Sequence, residues 1–300
     1  MLISYKLSSL AIRSAFISFV YWIIFSTVFA SPINVTDDRG AALHLARPPE
    51  RIISLLPSLT ESVCAVGKCN LLVGVDRFSN WPKSVDTLPK LGGIGEVNIE
   101  RIAQLQPDLV LIDQSSPAIS RLHSLGIPTL ALSINTMEDE HRTLKTLDAI
   151  FATTQGERVW QQIQAQITRA NKQLLPTQKN IRVYFEVNAA PFAAGQSSFI
   201  GEILNRLELI NIIPQSLGPF PKINPEFVVQ ANPELIFLSD SNTGQLQQRP
   251  GWNTISAIRE HHLCTFTPNQ NDILIRPGPR LGEAALIISH CVQEKMSSSQ

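Results

Sequence analysis

The sequence predicts an α/β protein of two similar lobes, each a mostly parallel sheet, joined by one long rigid helix, with a ligand cleft between the lobes. Three observations carry that prediction: short runs of Ile, Val and Leu alternating with helical periodicity, an internal repeat offset by 126 residues, and a proline-free helical segment between the two copies.

RIISLL (51–56), LLVGV (71–75), DLVLI (108–112) and TLALS (129–133) form one group of apolar runs, and IRVYFEV (181–187), ELIFLS (234–239) and LCTFT (263–267) a second. Most are too short for a helix and apolar at consecutive positions, as a strand covered on both faces must be. Between the groups, the segment from Met137 to Leu175 holds no Pro and a single Gly, Gly156. In its second part Val159, Ile163, Ile167, Ala170 and Leu174 recur at spacings of four, four, three and four, one apolar stripe on an amphipathic helix. About twenty helical residues span about 30 Å, enough to pass from one lobe to the other. Residues 48–136 are thus expected to form the amino-terminal lobe, 137–176 the connecting helical segment and 180–293 the carboxy-terminal lobe.

The repeat is VNIERIAQLQPDLV (97–110), which returns as INPEFVVQANPELI (223–236). Each copy reads as a capped helix running into a strand. Asn98 and Asn224 stand at the N-caps, Glu100 and Glu226 in the first turn near the positive helix end, and Pro107 and Pro233 at the stop. Pro225 takes the first helical position, where a missing N–H costs nothing.

Across 300 residues, 44% apolar and 17% charged, Lys plus Arg equals Asp plus Glu at 25 each. That balance excludes a disordered tail and gives no electrostatic footprint for nucleic acid. In residues 1–30, Lys6 and Arg13 precede the apolar run AFISFVYWIIF (15–25) and then Val28 and Ala30, the three-part pattern of a secretory signal peptide cut before Ser31. The run is short for an uncleaved membrane span. All four cysteines, Cys64, Cys69, Cys264 and Cys291, lie beyond that cut, and an exported chain can oxidise them. Their spacing allows Cys64 with Cys69 and Cys264 with Cys291, among three connectivities.

G-x-S-x-G, H-E-x-x-H, G-x-x-x-x-G-K-[ST] and G-x-G-x-x-G are all missing, so no catalytic residue and no cofactor is predicted. Gly92-Gly93-Ile94-Gly95 reads as a tight loop before a capped helix. The six histidines are scattered and Cys64-x4-Cys69 has no second close pair, so no metal site is expected. Tyr184 is the one tyrosine after residue 30 and lies in a strand run, poorly placed to ligate haem. The candidate ligand contacts are aromatic. Phe78 and Trp81 stand in DRFSNWP directly after LLVGV, and Phe220 in LGPFPK before the second repeat, positions suited to flat contact with a bulky ligand or to local packing. Trp252, in RPGWNT, reads as packing.

RIISLLPSLTE, LVGVDRFSNWP, the paired NIERIAQLQPDLVL and NPEFVVQANPELIFL, RPGWNTISAIR and NDILIRPGPRLGEAA together resemble one family. It is the helix-linked periplasmic substrate-binding proteins of ABC importers for cobalamin and iron-siderophores, and the resemblance spans 48–293. It implies a periplasmic monomer that captures cobalamin or a related corrinoid without chemistry and delivers it to a dimeric permease in the inner membrane. A ferric siderophore or haem is the alternative cargo, and an exported α/β enzyme or a metal-ion binder the alternative class. Carried over position by position, the resemblance places Phe78, Phe220 and Asp272 in the cleft, with Trp81 beside Phe78 and Arg276 able to pair with a ligand phosphate or amide. Phe78 and Phe220 stand where the family carries a Tyr and a Trp, and Ile94 where it carries another aromatic. Glu100 and Glu226 stand where the family's first-turn glutamates dock onto permease arginines.

Overall fold

A computed structural model describes residues 32–93, 95–188, 191–239, 246 and 248–297. The expected signal peptide, 1–30, and Ile94 lie outside the described residues. The described chain opens with an antiparallel hairpin, β1 (Ile33–Thr36) and β2 (Ala42–Leu45). The first sheet contains β3 (Ile52–Ser54), β4 (Leu72–Val75), β7 (Leu109–Asp113) and β8 (Thr129–Leu132), all parallel, in the order β4-β3-β7-β8. A two-residue hairpin, β5 (Gly92–Gly93) with β6 (Glu96–Val97), stands beside it, as the glycine cluster predicts.

The second sheet repeats that order. β9 (Arg182–Asn188) lies between the two-residue β11 (Ile210–Asn211) and β12 (Leu235–Ser239), and β13 (Leu263–Phe266) follows, all parallel. A short antiparallel β10 (Phe192–Ala193) covers the far end of β9 on the β11 edge. All seven apolar runs of the sequence are therefore strands of a parallel sheet. Their consecutive hydrophobicity follows from two-sided burial: Leu109 and Leu111 face one core cluster while Val110 and Ile112 face another.

The repeat extends to the helix ends, with the two caps bonding amides one position apart. α2 (Ile99–Gln104) and α7 (Pro225–Ala231) precede β7 and β12, with Asn98 accepting from the Arg101 amide at 2.9 Å and Asn224 from the Glu226 amide at 3.0 Å. Both helices end at a left-handed residue, Gln106 and Asn232, each at φ 45°. Asp108 then accepts from the Arg51 amide at 3.0 Å and Glu234 from the Arg182 amide at 2.9 Å, so the same repeat position aligns β7 with β3 and β12 with β9.

The connecting segment differs from the single helix expected over 137–175. It is two helices, α4 (Met137–Phe151) and α5 (Gln155–Gln173), separated where Ala152 turns left-handed at φ 48°. Asp148 of α4 accepts from the Gly156 and Glu157 amides at 2.8 and 3.0 Å, capping α5 from outside its own chain segment. Gly156, the glycine of this segment, lies in the first turn of α5 just after the break, where a Cβ would stand 2.5 Å from the Leu144 carbonyl oxygen of α4. The 19 residues of α5 alone span about 29 Å and carry the predicted stripe, with Ile163, Ile167 and Ala170 buried. α5 packs on α1 (Pro57–Ala65) at one end of the fold and on α6 (Phe199–Arg206) and the last helix, α10 (Leu281–Met296), at the other. One hydrophobic cluster consequently runs from Ile52 and Leu59 through Ile163 and Ile167 to Phe185, Phe237 and Ile288. The lobes share a core.

Candidate functional site

The loop after β4 is shaped by Asp76. Its carboxylate accepts from the Phe78 and Ser79 amides at 2.7 and 3.1 Å and from the Ser79 hydroxyl, an Asx turn that directs the following residues outward. Burial pushes the Asp76 carboxyl above its usual range even against those hydrogen bonds. Lys90 donates to the Ser79 carbonyl at 2.6 Å and secures the loop from beneath. Phe78 is 57% exposed and Trp81 40%, although both are large aromatics. Gly93 makes room for this arrangement, since a Cβ there would stand 3.2 Å from the Phe78 ring.

The turn between α9 (Pro268–Ile275) and α10 meets this loop from the second lobe. Asp272 and Arg276 pair at 2.8 Å one helical turn apart. Asn80 joins both, donating to Asp272 at 2.9 Å and accepting from Arg276 at 2.7 Å. Arg276 also donates to the Phe78 carbonyl at 3.2 Å and to Glu61 at 3.4 Å. Arg280 grips Glu61 with two hydrogen bonds of 2.6 and 2.7 Å while its guanidinium lies 4.8 Å from the Trp81 ring centre. The structure thus brings Phe78, Trp81, Asp272 and Arg276 into one cross-lobe cluster, in which Arg276 already has four protein partners. The ring of Phe220 lies 5.8 Å from that of Phe199. Sequence reasoning does not single out Asn80, Glu61 and Arg280, although they lie within DRFSNWP, RIISLLPSLTE and RPGPR, because spacing alone does not turn three distant motifs into contacts.

Behind the cluster lie two buried acids. Burial holds Glu61 above the usual carboxylate range, opposed by Arg280 and Arg276. Burial likewise pushes Glu140 on α4 up to about 8, opposed by a hydrogen bond from Ser62 and reinforced by the charge of Glu61.

A cavity of about 220 Å³ opens at the carboxyl ends of β3, β7 and β8. Leu56, Ser58, Asp113, Ser133 and Asn135 line its first-lobe side, and Ile275, Arg276 and Pro277 close it from the second. Carboxyl ends of parallel strands are where open α/β sheets hold ligands, because the connecting loops diverge there. The exposed aromatics offer flat apolar faces and the cavity offers hydroxyl, amide and carboxylate groups, a combination suited to holding a ligand.

Glu100 and Glu226 are both exposed, one on each repeat helix. Trp252, by contrast, is fully buried and lies 4.4 Å from the guanidinium of Arg249, which grips Glu186 at 2.6 and 2.9 Å. Cys64 pairs with Cys69, and Cys264 with Cys291, the latter joining β13 to α10.

Comparison with known proteins gives a consistent picture. The chain is 29% identical over 84% of its length to YvrC, described as an uncharacterized ABC transporter substrate-binding lipoprotein of Bacillus subtilis strain 168, covering 82% of that protein. It is 28% identical over 80% of its length to the vitamin B12-binding protein of Vibrio parahaemolyticus, covering 88% of it. Among solved structures, the periplasmic vitamin B12-binding protein BtuF of Vibrio cholerae superposes with a TM-score of 0.68 at 23% identity, over 84% of this chain and 99% of that one. The molybdate-binding protein MolA of Haemophilus influenzae reaches 0.73 at 17% identity, over 89% and 93%. At such identities the superpositions establish a shared two-lobed fold. The family model matches residues 52–269, more than two thirds of the chain, and the protein belongs to the periplasmic binding protein family.

Proposed function

We propose that this protein captures cobalamin or a related corrinoid in its cleft and presents it to the permease of an ABC importer, with no chemical step. The observation that carries this reading is the aromatic loop: Phe78 and Trp81 are held exposed by Asp76 and by the Asn80–Asp272–Arg276 bridge, and Arg276 of that bridge also lines the cavity at the strand ends. A corrinoid combines a broad flat macrocycle with amide side arms, which matches apolar faces beside hydroxyl and amide groups. The relatives named vitamin B12-binding proteins support the same cargo.

The reading divides the chain into a signal peptide (1–30), lobes at 48–136 and 180–293, and the 137–176 connector, and places a monomeric mature protein in the periplasm. Glu100 and Glu226, one per lobe and both exposed, supply two acidic contacts for a dimeric permease. Arg276, engaged by Asp272 and Asn80, serves to hold the aromatic loop and meets the ligand only along its exposed edge.

The test is retention of cyanocobalamin. Purified protein mixed with it and passed through a desalting column should carry about one equivalent of corrinoid absorbance. Absence of bound corrinoid, with haem or a ferric siderophore retained in its place, would overturn the cargo.

A further inference from the structure

The amino-terminal hairpin lies outside the family match at 52–269, yet its turn reaches the cleft wall. The loop 133–136, which supplies Ser133 and Asn135 to the cavity, is held at nearly every backbone polar group. The Ser133 amide donates to Asp38 of the hairpin turn at 2.7 Å, and the Ser133 carbonyl accepts from Arg142 at 3.3 Å. The Asn135 and Thr136 amides both donate to Asp139 at 3.0 Å. The Asn135 carbonyl accepts from the amide of Phe199 in the second lobe at 2.8 Å, and the Phe199 ring packs on Phe220. Arg142 unites the supports, donating to Asp38 at 2.9 and 3.1 Å and to Asp139 at 2.6 Å. The Asp38 amide completes the docking by donating to the Ala131 carbonyl at 2.9 Å.

We infer that Asp38, with Arg142, is a positioning residue for ligand binding: the hairpin turn sets the 133–136 loop, and through Asn135 and Phe199 it fixes how that wall meets the second lobe. The consequence for affinity rests on the proposed cargo, while the positioning itself does not. A wall whose backbone groups are tied before ligand arrives needs no ordering on binding, so loosening it weakens affinity without dismantling either core. The side chains of Asp38 and Arg142 are partly exposed, so the tie is removable from the surface.

The experiment uses full-length protein carrying Asp38→Ala, with Arg142→Lys as a second variant that keeps the cation but loses the fork, and Asn34→Ala on the same hairpin as control. Amide hydrogen exchange of Ser133, Asn135, Thr136 and Phe199 should quicken about tenfold or more in Asp38→Ala, while Ile53 and Leu111 in the sheet stay protected. Arg142→Lys should show the same pattern more weakly, and Asn34→Ala none of it. Cyanocobalamin affinity should fall about tenfold for Asp38→Ala with the melting temperature little changed. Faster exchange confined to Ser133, or spread evenly through the sheet, would overturn the inference, as would unchanged affinity with the whole loop loosened. If unmodified protein binds no corrinoid, the cargo reading fails by itself and the exchange pattern still decides the positioning role.

Discussion

Arg280 holds Glu61 through two hydrogen bonds of 2.6 and 2.7 Å, tying the start of α10 to α1 in the other lobe. Both side chains are almost wholly buried, at 7% and 2% exposure. Removing Arg280 leaves buried Glu61 with only the longer, 3.4 Å contact to Arg276, in a medium that solvates the charge poorly. Arg280→Met should therefore destabilise the protein by about 3–5 kcal/mol, whereas replacing both as Glu61→Leu with Arg280→Met should recover much of that loss. Urea denaturation of the single and double variants measures both.

Glu140 predicts a pH dependence. Its folded pKa, pushed up to about 8 by burial, lies above the ordinary 4.5, so the native state takes up a proton more readily than the unfolded chain. Stability from the neutral acid is complete below about pH 4.5 and is lost as pH rises through about 8. One carboxylate oxygen of Glu140 is buried with no hydrogen-bond partner, which accords with a neutral group. Glu140→Gln removes the ionisation, and should flatten the stability profile over that interval and raise stability at pH 8 by up to about 4 kcal/mol. Melting curves from pH 5 to pH 9 check the sign.

The shared core limits closure. Because one hydrophobic cluster passes from the first lobe through α5 to the second, lobe rotation would have to open packed surface. Small-angle scattering with and without ligand should show a change in radius of gyration below about 1 Å, in contrast to hinge-closing proteins with flexible linkers. A marked compaction would show that α5 bends.

Glu100 and Glu226 should separate binding from delivery. Each is exposed in the first turn of a short helix, where its contribution to stability is small, about 0.5 kcal/mol. Glu100→Lys with Glu226→Lys should leave ligand affinity and melting temperature nearly unchanged and abolish uptake by reconstituted permease. Single replacements should fall between, since in the proposed docking either lobe alone would keep one contact.

The strands, the repeat and the α5 stripe were legible because two-sided burial and helix capping write themselves into consecutive residues. Gln106 and Asn232 show how closely the repeat follows: both adopt the same left-handed conformation 126 positions apart. The break at Ala152 was not legible, because what caps α5 is Asp148 from the preceding helix. At the site, Phe78 and Trp81 could be picked out by their place after an apolar run. Two partners of Arg276 could not, since Glu61 and Asn80 lie some two hundred residues away and meet it only when the lobes assemble.

The most direct measurement is calorimetric titration of the purified protein with cyanocobalamin, alongside Phe78→Ala and Trp81→Ala. Saturable one-to-one binding by the unmodified protein is expected, weakened about tenfold or more in each variant. Binding that survives both replacements undiminished, or no heat of binding to the unmodified protein at tens of micromolar, would contradict it.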